Sequence, residues 1–429
     1  MPKFFIILII FLNSAILVKA QDKGGVQFVQ GLSWAQIKEK ARLENKYIFL
    51  DGFTTWCAPC RMMEKNVLSQ QITGDFFNAR FVNVKVQFDV TQADNDEVKS
   101  WYKDAQDIRK EYSIDSYPTY LFFNPNGELV YRIAGASSTP EAFVVKAKDA
   151  LNPGSQYYML KKQYESGVKR DPEFLTSLIK AAEIANENAA IPEIVNAYLL
   201  TQTDPLTEGN LRIISAGTSK SSDRGFDILR NNRATADAVL GQGKSGDIIR
   251  GILINEIVIP FLRNGGHVER HGPMLIYTGE INDNPDWQEL REKLDKQCPE
   301  FSDEVIMAAR PLYCEWKNDW PRYAQHAASF INKYGSRLSG DALNAYAWAI
   351  LINSNDERCL EAATAWSKSS LSGTNVKHPG FLFTYANLLY KSGKKEEAIA
   401  VQKDIVKLSN EDEVYMQVLN KMEKGEKVF

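Results

Sequence analysis

The sequence predicts an α/β domain over residues 21–152, followed by an all-α region of helical hairpins that continues to the C-terminus. Short apolar runs of strand length alternate with helical patterns over the first third of the chain. After a cluster of turn residues at 152–155, apolar residues recur at helical spacing and strand candidates become rare. A chain of 429 residues is long enough for two or three domains.

The α/β region has a local signal for each of its elements. Ser33 is a good N-cap for a helix at 33–40, and the Asn-Pro-Asn-Gly stretch at 124–127 predicts a hairpin turn. Runs rich in aromatic and branched residues predict strands at 46–53, 81–86, 117–123 and 129–133. Helical patterns predict further helices at 57–67, 70–77, 94–112 and 140–151.

Residues 1–20 have the pattern of a signal peptide. Lys3 supplies a short positive region, residues 4–12 are apolar, and small residues around Ala20 form a cleavage site. We therefore expect an exported, periplasmic protein whose mature chain starts at about Gln21. An uncleaved membrane anchor is the alternative. No cysteine lies near the site, which argues against a lipoprotein anchor.

The overall composition is that of an ordinary globular protein. Hydrophobic residues make up 44% of the chain and charged residues 24%, with a net charge of −3. Both signs of charge are interspersed along the sequence. We therefore expect neither nucleic acid nor an anionic membrane surface as a partner.

Two cysteines separated by two residues carry the strongest chemical signal. In Trp56-Cys57-Ala58-Pro59-Cys60 the pair lies between a strand pattern and a helix pattern. This junction places Cys57 at a helix N-terminus, where free N–H groups and the helix dipole stabilise a thiolate. Thiolates attack disulfides, so the motif predicts a redox site. Half of a zinc site is the alternative, but no second pair of cysteines and no Cys–His pair has metal-ligand spacing, and we expect no metal.

Four further positions match the surroundings of such a motif in a known family. The family has a buried acid six residues upstream, a lysine in the next strand, a cis-proline before a later strand and a glycine before the last helix. These have counterparts at Asp51, Lys85, Pro118 and Gly135. Over residues 27–151 the sequence resembles the thioredoxin superfamily. The resemblance implies the thioredoxin fold, a central mixed sheet flanked by helices.

The resemblance also implies a role for each residue of the motif. Cys57 is expected to be the more exposed thiol, and it would attack a substrate disulfide as the nucleophile. Cys60, more buried, would resolve the mixed disulfide that forms. Pro59 would stiffen the turn between the two cysteines, and Trp56 would shield one side of the disulfide.

The residues around the motif are expected to support this chemistry. Asp51, if buried, has a raised pKa and accepts the proton of Cys60. Lys85 tunes Asp51 by proximity. Pro118, in the cis form, leaves the backbone of Tyr117 free to pair with an extended substrate. Tyr117 departs from the small or branched residue that is common at this place in the family.

The dipeptide between the cysteines predicts the direction of electron flow. Ala58-Pro59 lacks the histidine that stabilises the thiolate in strong oxidants, so we expect a reductant, nearer about −270 mV than about −120 mV. Residues 62–64 with Val67 look most like exported domains related to the C-terminal domain of the transmembrane disulfide reductase. Disulfide-bonded protein substrates, a membrane-embedded thiol reductase as electron donor and no cofactor are therefore expected. A disulfide oxidase or isomerase is the alternative.

The all-α region is expected to comprise a helical domain at 157–340 and tetratricopeptide-like hairpins at 341–429. The stretch 385–399, with small Ala386 and Ala398 and a turn at Gly393, resembles one tetratricopeptide unit. Residues 360–363 echo it about one repeat length earlier. Such a region predicts a surface that docks a protein partner. The rival function is therefore an adaptor or chaperone-like protein with an accessory redox module.

Three cysteines, Cys298, Cys314 and Cys359, lie outside the redox motif. Export would permit a disulfide between Cys298 and Cys314, but three buried core thiols are the favoured interpretation. His267 and His271 have the spacing of a helical metal pair. The glycines and the proline around them favour a solvated loop instead.

Overall fold

The computed structural model describes residues 24–271, 274–409 and 412–429. The predicted signal peptide at 1–20 lies outside these ranges. Within them, no helix combines the length and the apolar character that a membrane span requires.

The chain divides into two compact units. The first ends at Glu165 and also takes in Ile184–Asn186, and the second comprises Ser166–Glu183 and Glu187–Phe429. The first unit holds every described element of the predicted α/β domain together with one further helix. The second unit holds the region with helical periodicity.

The first unit is built on a four-stranded mixed sheet, as the sequence predicted. Its strands are β1 (Tyr47–Phe53), β2 (Phe81–Gln87), β3 (Thr119–Phe123) and β4 (Leu129–Ala134). The strand order is β2–β1–β3–β4, in which β1 pairs in parallel with β2 and the other neighbours are antiparallel. Parallel strands need a crossover connection, and the helices after β1 supply it.

The helices of the first unit follow the predicted order. They are α1 (Trp34–Glu44), α2 (Ala58–Met63), α3 (Gln71–Arg80), α4 (Asp96–Ser100), α5 (Tyr102–Glu111), α6 (Pro140–Lys148) and α7 (Tyr157–Glu165). A π-helical segment, Glu64–Leu68, continues α2, and a 3-10 turn, Asp149–Leu151, continues α6. The predicted N-cap Ser33 is confirmed, because it forms a reciprocal capping box with Gln36.

The two faces of the sheet are covered by different helices, since successive strand residues point to opposite sides. Ile48 and Leu50 belong to the core that α1 and α5 cover. Phe49 belongs to the opposite core, which contains Met63 of α2. Asp51 shares the face of Phe49 by the same alternation. The acid therefore lies on the side of the sheet that the cysteine-bearing helix covers.

The helical pattern predicted at 94–112 is confirmed, but it forms two helices, α4 and α5, which are separated at Trp101. Trp101 packs against the core on the α1 side of the sheet. Asp94 is held by hydrogen bonds from the side chains of Thr91, Gln87 and Tyr102, at 2.5, 3.0 and 2.7 Å. These tertiary contacts fix the direction of the segment, and helical periodicity alone does not reveal them.

The second unit is predominantly helical. Its helices are α8 (Pro172–Ile184), α9 (Ile191–Leu199), α10 (Glu208–Gly217), α11 (Arg224–Asn231), α12 (Arg233–Leu240), α13 (Lys244–Leu253), α14 (Ile259–Leu262), α15 (Trp287–Gln297), α16 (Pro299–Trp316), α17 (Trp320–Tyr334), α18 (Gly340–Asn353), α19 (Glu357–Ser370), α20 (Pro379–Lys391), α21 (Lys395–Leu408) and α22 (Glu413–Glu423). A π-helical segment, Ile254–Val258, joins α13 to α14. Further 3-10 turns are Asn188–Ala190, Gly335–Arg337 and Gly373–Lys377.

The expected solvated loop around His267 and His271 is wrong, because this stretch forms a β-hairpin. Its antiparallel strands are β5 (Val268–His271) and β6 (Met274–Tyr277). The guanidinium of Arg263 donates to the carbonyl of Thr278 at 2.8 Å and so ties the hairpin to the end of α14. This contact is non-local, so the glycine signals in the sequence indicated only a turn.

The helix pairs α18–α19 and α20–α21 occupy the stretch in which hairpins were predicted. Ala386 and Ala398 are fully buried between helices, and Gly393 has a φ of +82° in the turn that joins α20 to α21. Small residues at such contacts allow two helices to approach closely. The resemblance to tetratricopeptide repeats stays a prediction.

The second unit contains a buried arginine with two acidic partners. Arg250 on α13 is 6% exposed, and its guanidinium lies 2.7 Å from the carboxylate of Glu304 on α16, which is 2% exposed. A second nitrogen of the same guanidinium contacts Asp247.

The favoured interpretation of the three distal cysteines is confirmed, since Cys298, Cys314 and Cys359 are free and buried.

Candidate active site

Cys57 and Cys60 form a disulfide at the start of α2, with their Cα atoms 5.3 Å apart. Cys57 is the N-cap of that helix, and its sulfur accepts the backbone N–H of Cys60 at 3.1 Å. Pro59 lies in the first turn, where its missing N–H would have no helical partner in any case. The sulfur of Cys57 is thus placed where a thiolate is stabilised by the free N–H groups and the dipole of the helix.

The expected difference in exposure between the two cysteines is wrong for the disulfide form. Cys57 is 2% exposed and Cys60 is 8% exposed. The main chain folds back at Cys57, whose N–H donates to the carbonyl of Thr54 at 3.2 Å, while its sulfur turns towards the amide of Cys60. Both contacts draw Cys57 into the turn, and neither could be inferred from its place before the helix.

The loop before the cysteines is anchored by two residues that the sequence reasoning did not connect with the loop. The carboxylate of Asp89, just after β2, accepts the backbone N–H of Thr55 at 2.9 Å and also contacts its hydroxyl. The guanidinium of Arg61 donates to the carbonyl of Thr55 at 2.9 Å. These contacts fix the main chain two residues before Cys57. The sequence places Asp89 just after a strand, but it does not indicate that Thr55 is its partner.

Asp51 lies in the middle of β1 and is 4% exposed. Burial raises the pKa of Asp51 to about 7, with a smaller raising effect of Glu64 and an opposing effect of Lys85. A carboxyl group with this pKa can both accept and release a proton near neutrality. The structure therefore places a titratable group on the face of the sheet that α2 covers.

Lys85 is the register partner of Asp51 across the parallel strands β1 and β2, as the resemblance implied. Its ammonium group, however, lies 2.6 Å from the carboxylate of Glu64 and 4.7 Å from the ring centroid of Phe53. Glu64 begins the π-helical segment after α2. The lysine thus pairs with Glu64 and acts on Asp51 only by its charge, and the sequence had not indicated a part for Glu64 in the site.

The Tyr117–Pro118 peptide bond is cis, and Pro118 is buried. The carbonyl of Pro118 accepts the N–H of Gly135 at 2.9 Å, and Gly135 has a φ of +82°, which favours glycine. The ring of Tyr117 meets the ring of Trp56 edge to face, with centroids 5.9 Å apart. Trp56 is 68% exposed, so a large apolar side chain stands at the surface beside the disulfide.

These features define a class of site. A disulfide closes the first turn of a helix, a buried acid of raised pKa lies on the covered face of the sheet, and a cis-proline precedes the next strand. This is a dithiol–disulfide redox centre on a mixed α/β sheet.

Comparisons with known proteins agree. Residues 34–150 match the family model described as a thioredoxin-like domain. Thioredoxin H4 of Arabidopsis thaliana is 31% identical over 114 residues, which cover 26% of this chain and 81% of that protein. The chain belongs to the thioredoxin superfamily.

Two further similarities concern the same part of the chain. A peptide-N(4)-(N-acetyl-beta-glucosaminyl)asparagine amidase of Caenorhabditis briggsae is 32% identical over 120 residues, 28% of this chain but only 17% of the amidase. The solved structure of a DsbH oxidoreductase is 23% identical with a TM-score of 0.26, and the match covers 30% of this chain and 87% of that one. The family assignment rests on the sequence relatives.

Proposed function

We propose that this protein is an exported thiol–disulfide oxidoreductase that reduces disulfides in protein substrates through Cys57 and Cys60. The observation that carries the proposal is the Cys57–Cys60 disulfide at a helix start, with the buried Asp51 on the same side of the sheet. The pair can cycle between dithiol and disulfide without a metal or an organic cofactor.

The proposed cycle begins with the reduced pair. The thiolate of Cys57 attacks one sulfur of a substrate disulfide, so that a mixed disulfide forms and the other substrate sulfur leaves as a thiolate. Cys60 then attacks the sulfur of Cys57, which breaks the mixed disulfide and releases the second substrate thiolate. Two electrons pass to the substrate, and Cys57 and Cys60 are left joined in a disulfide.

Asp51 would serve the second step of this cycle. Cys60 must lose its proton before it attacks, and a carboxylate with a pKa of about 7 is a base matched to neutral conditions. Lys85 and Glu64 would set how readily Asp51 ionises, because they act on its pKa in opposite directions. These three residues would form the proton-handling part of the site.

Substrate binding would use the surface beside the disulfide. Within the described ranges, the backbone N–H and carbonyl of Tyr117 make no main-chain hydrogen bond, so an extended substrate segment could pair with them. The exposed ring of Trp56 would cover an apolar part of that segment. Pro118 would line the same surface.

The reductive direction rests on the dipeptide Ala58-Pro59, which places no histidine beside the Cys57 thiolate. The reduced form is then less favoured than in strong oxidants, so the pair gives electrons more readily. A reductant in an oxidising compartment needs a continuous electron supply. We propose a membrane-embedded thiol reductase as the donor, and a role in thiol homeostasis of the periplasm.

The second unit would dock a protein partner or the substrate protein through tetratricopeptide-like hairpins at 341–429. If docking were the main function, the chain would be an adaptor or chaperone-like protein and the thioredoxin module an accessory. A disulfide oxidase or isomerase is the other rival. The small buried residues Ala386 and Ala398 favour a rigid hairpin, which suits either role.

An insulin-reduction assay with dithiothreitol as electron source tests the proposal. We expect turnover by the wild type, complete loss in Cys57→Ser, and unchanged turnover in the matched control Cys298→Ser, because Cys298 is a buried free thiol of the other unit. Absence of turnover in the wild type would favour the adaptor function instead.

A further inference from the structure

A cavity of about 450 Å³ lies beside the α16–α17 hairpin of the second unit. Arg310 and Cys314 on α16, and Arg322 and His326 on α17, line its walls. Residues four positions apart share one face of a helix, so each helix turns a pair of these side chains to the cavity. The volume lies within the range of about 300–1,000 Å³ that is typical of ligand pockets.

The charges in this cavity do not cancel. Three cations and two carboxylates line it. The carboxylate of Asp319 lies 2.6 Å from the guanidinium of Arg322, and Asp283 contacts the ammonium of Lys317. Within the part of the chain that the structure describes, Arg310 makes no ion pair. The guanidinium of Arg310 is therefore a positive charge in the cavity wall that has no carboxylate partner.

The surroundings of Arg310 hold its donors ready for a ligand. The residue is half-buried, and its guanidinium lies 4.5 Å from the ring centroid of Trp287. Stacking on an aromatic face orients the guanidinium plane and leaves the N–H groups at its edge free. Such an edge matches the two oxygens of a carboxylate or a phosphate.

His326 adds a second donor on the opposite helix. It is half-buried, and burial lowers the pKa of His326, as do Arg310 and Arg322, while Asp319 opposes them. The imidazole is therefore neutral near pH 7 and offers one N–H donor. Within the described ranges its ring nitrogens have no hydrogen-bond partner. A bound anion would attract the imidazolium, offset the repulsion by the two arginines and so favour the protonated ring.

We propose that this cavity is a binding site for a small oxyanion, a ligand that presents a carboxylate or phosphate group to Arg310 and His326. Trp287 orients the guanidinium, and the ion pairs of Arg322 and Lys317 keep the rest of the wall close to neutral. The site is independent of the redox function proposed above, because none of its residues belongs to the first unit.

Histidine NMR of the full chain tests this site, because the protein has only four histidines and His326→Gln identifies the relevant ring signal. Inorganic phosphate and succinate are titrated separately at constant ionic strength. We expect a saturable shift of the His326 signal and a higher pKa of its ring. Binding of one probe alone supports the site and identifies its oxyanion.

Arg310→Met should weaken the binding at least about tenfold, because the charged donors over the Trp287 ring are lost while an unbranched side chain remains. Arg310→Lys keeps the charge without the fork and should also bind more weakly than the wild type. The control Arg212→Met removes an exposed ion pair on α10 and should bind as the wild type. Unsaturable shifts with both probes, or equal affinity in the wild type and both Arg310 variants, would overturn the proposal.

Discussion

Asp51 in the first unit and Arg250 in the second are both buried charged residues, and their surroundings differ. Arg250 has two carboxylates at its guanidinium, Glu304 at 2.7 Å and Asp247. Burial lowers the pKa of Arg250, but Asp247, Tyr346 and Glu304 outweigh this effect and the pKa is raised. Among the residues that the structure describes, Lys85 is the cation that acts on Asp51, and it forms its ion pair with Glu64 instead.

The difference separates a structural charge from a reactive one. A fully paired ion keeps its charge at every physiological pH and holds helices together. A buried acid that is paired incompletely destabilises the fold when it ionises, but it titrates near neutrality and can move a proton. The cysteines repeat the contrast, because Cys57 and Cys60 meet at a helix start while the three distal thiols are isolated in the helical core.

The largest effect is expected when the redox pair is changed, and it tests the difference between this pair and the three distal cysteines. Cys60→Ser should abolish turnover, because the mixed disulfide on Cys57 can no longer be resolved. The stalled intermediate should accumulate as a covalent complex with substrate proteins that dithiothreitol releases, seen on non-reducing gels. Cys359→Ser, a change at a buried thiol of the second unit, should turn over normally and trap nothing. Equal trapping by both variants would remove the distinction between the two groups of cysteines.

The next largest effect is expected for the stability of the protein when Arg250, the structural charge, is replaced. Arg250→Met leaves Glu304 buried without its cation, and we expect a loss of about 3–5 kcal/mol in the free energy of unfolding. The double variant Arg250→Met/Glu304→Leu should recover most of this loss, since the fully buried carboxylate is then removed and only the partly exposed Asp247 loses its partner. Urea unfolding followed by helical circular dichroism measures both. Similar losses in the single and double variants would mean that packing, rather than charge compensation, dominates.

Asp51→Asn should stabilise the protein, whereas Arg250→Met should destabilise it. The pKa of Asp51 is about 7 in the folded protein against an ordinary value of 3.8, so its contribution to stability is present at low pH and lost as pH rises through about 7. Removing the ionisable group should therefore raise the free energy of unfolding by up to about 4 kcal/mol above pH 7, and by little near pH 4. Substrate reduction should slow at the same time.

Urea unfolding at the two pH values measures this gain. The matched control is Asp107→Asn, which removes an exposed carboxylate paired with Lys103. We expect its stability to stay close to that of the wild type at both pH values. A destabilised Asp51→Asn protein at alkaline pH would contradict the view that Asp51 is an incompletely compensated charge.

The smallest expected effect is that of Glu64→Gln on the pKa of Asp51. Without the Glu64 carboxylate, Lys85 can act fully on Asp51, and the pKa of Asp51 should fall. Carbon-13 NMR of the aspartate side chains follows this titration directly. Glu141→Gln, at an exposed position in the first turn of α6, should leave the titration unchanged. An unchanged Asp51 titration in Glu64→Gln would remove Glu64 from the site.

Local signals explain why much of the first unit was predictable. The N-cap Ser33, the turn at 124–127 and the Cys-x-x-Cys junction each act over a few neighbouring residues, so the order of strands and helices followed from them. Helical periodicity likewise predicted the helical character of the second unit. The β5–β6 hairpin was missed because Arg263, which fixes it, lies outside the strands.

The site was predictable in its residue types but not in its pairings. Asp51, Lys85 and Pro118 were recognised through the resemblance to the thioredoxin superfamily. The ion pair of Lys85 with Glu64 and the bond of Asp89 to Thr55 join residues 21 and 34 positions apart. Their formation depends on how α2 and β2 pack, which no local pattern encodes.

The equilibrium redox potential of the Cys57–Cys60 pair against glutathione tests the central proposal most directly. The absence of a histidine between the cysteines predicts a potential near that of thioredoxin, about −270 mV. A value near about −120 mV, typical of a strong oxidant, would contradict the assignment as a reductase.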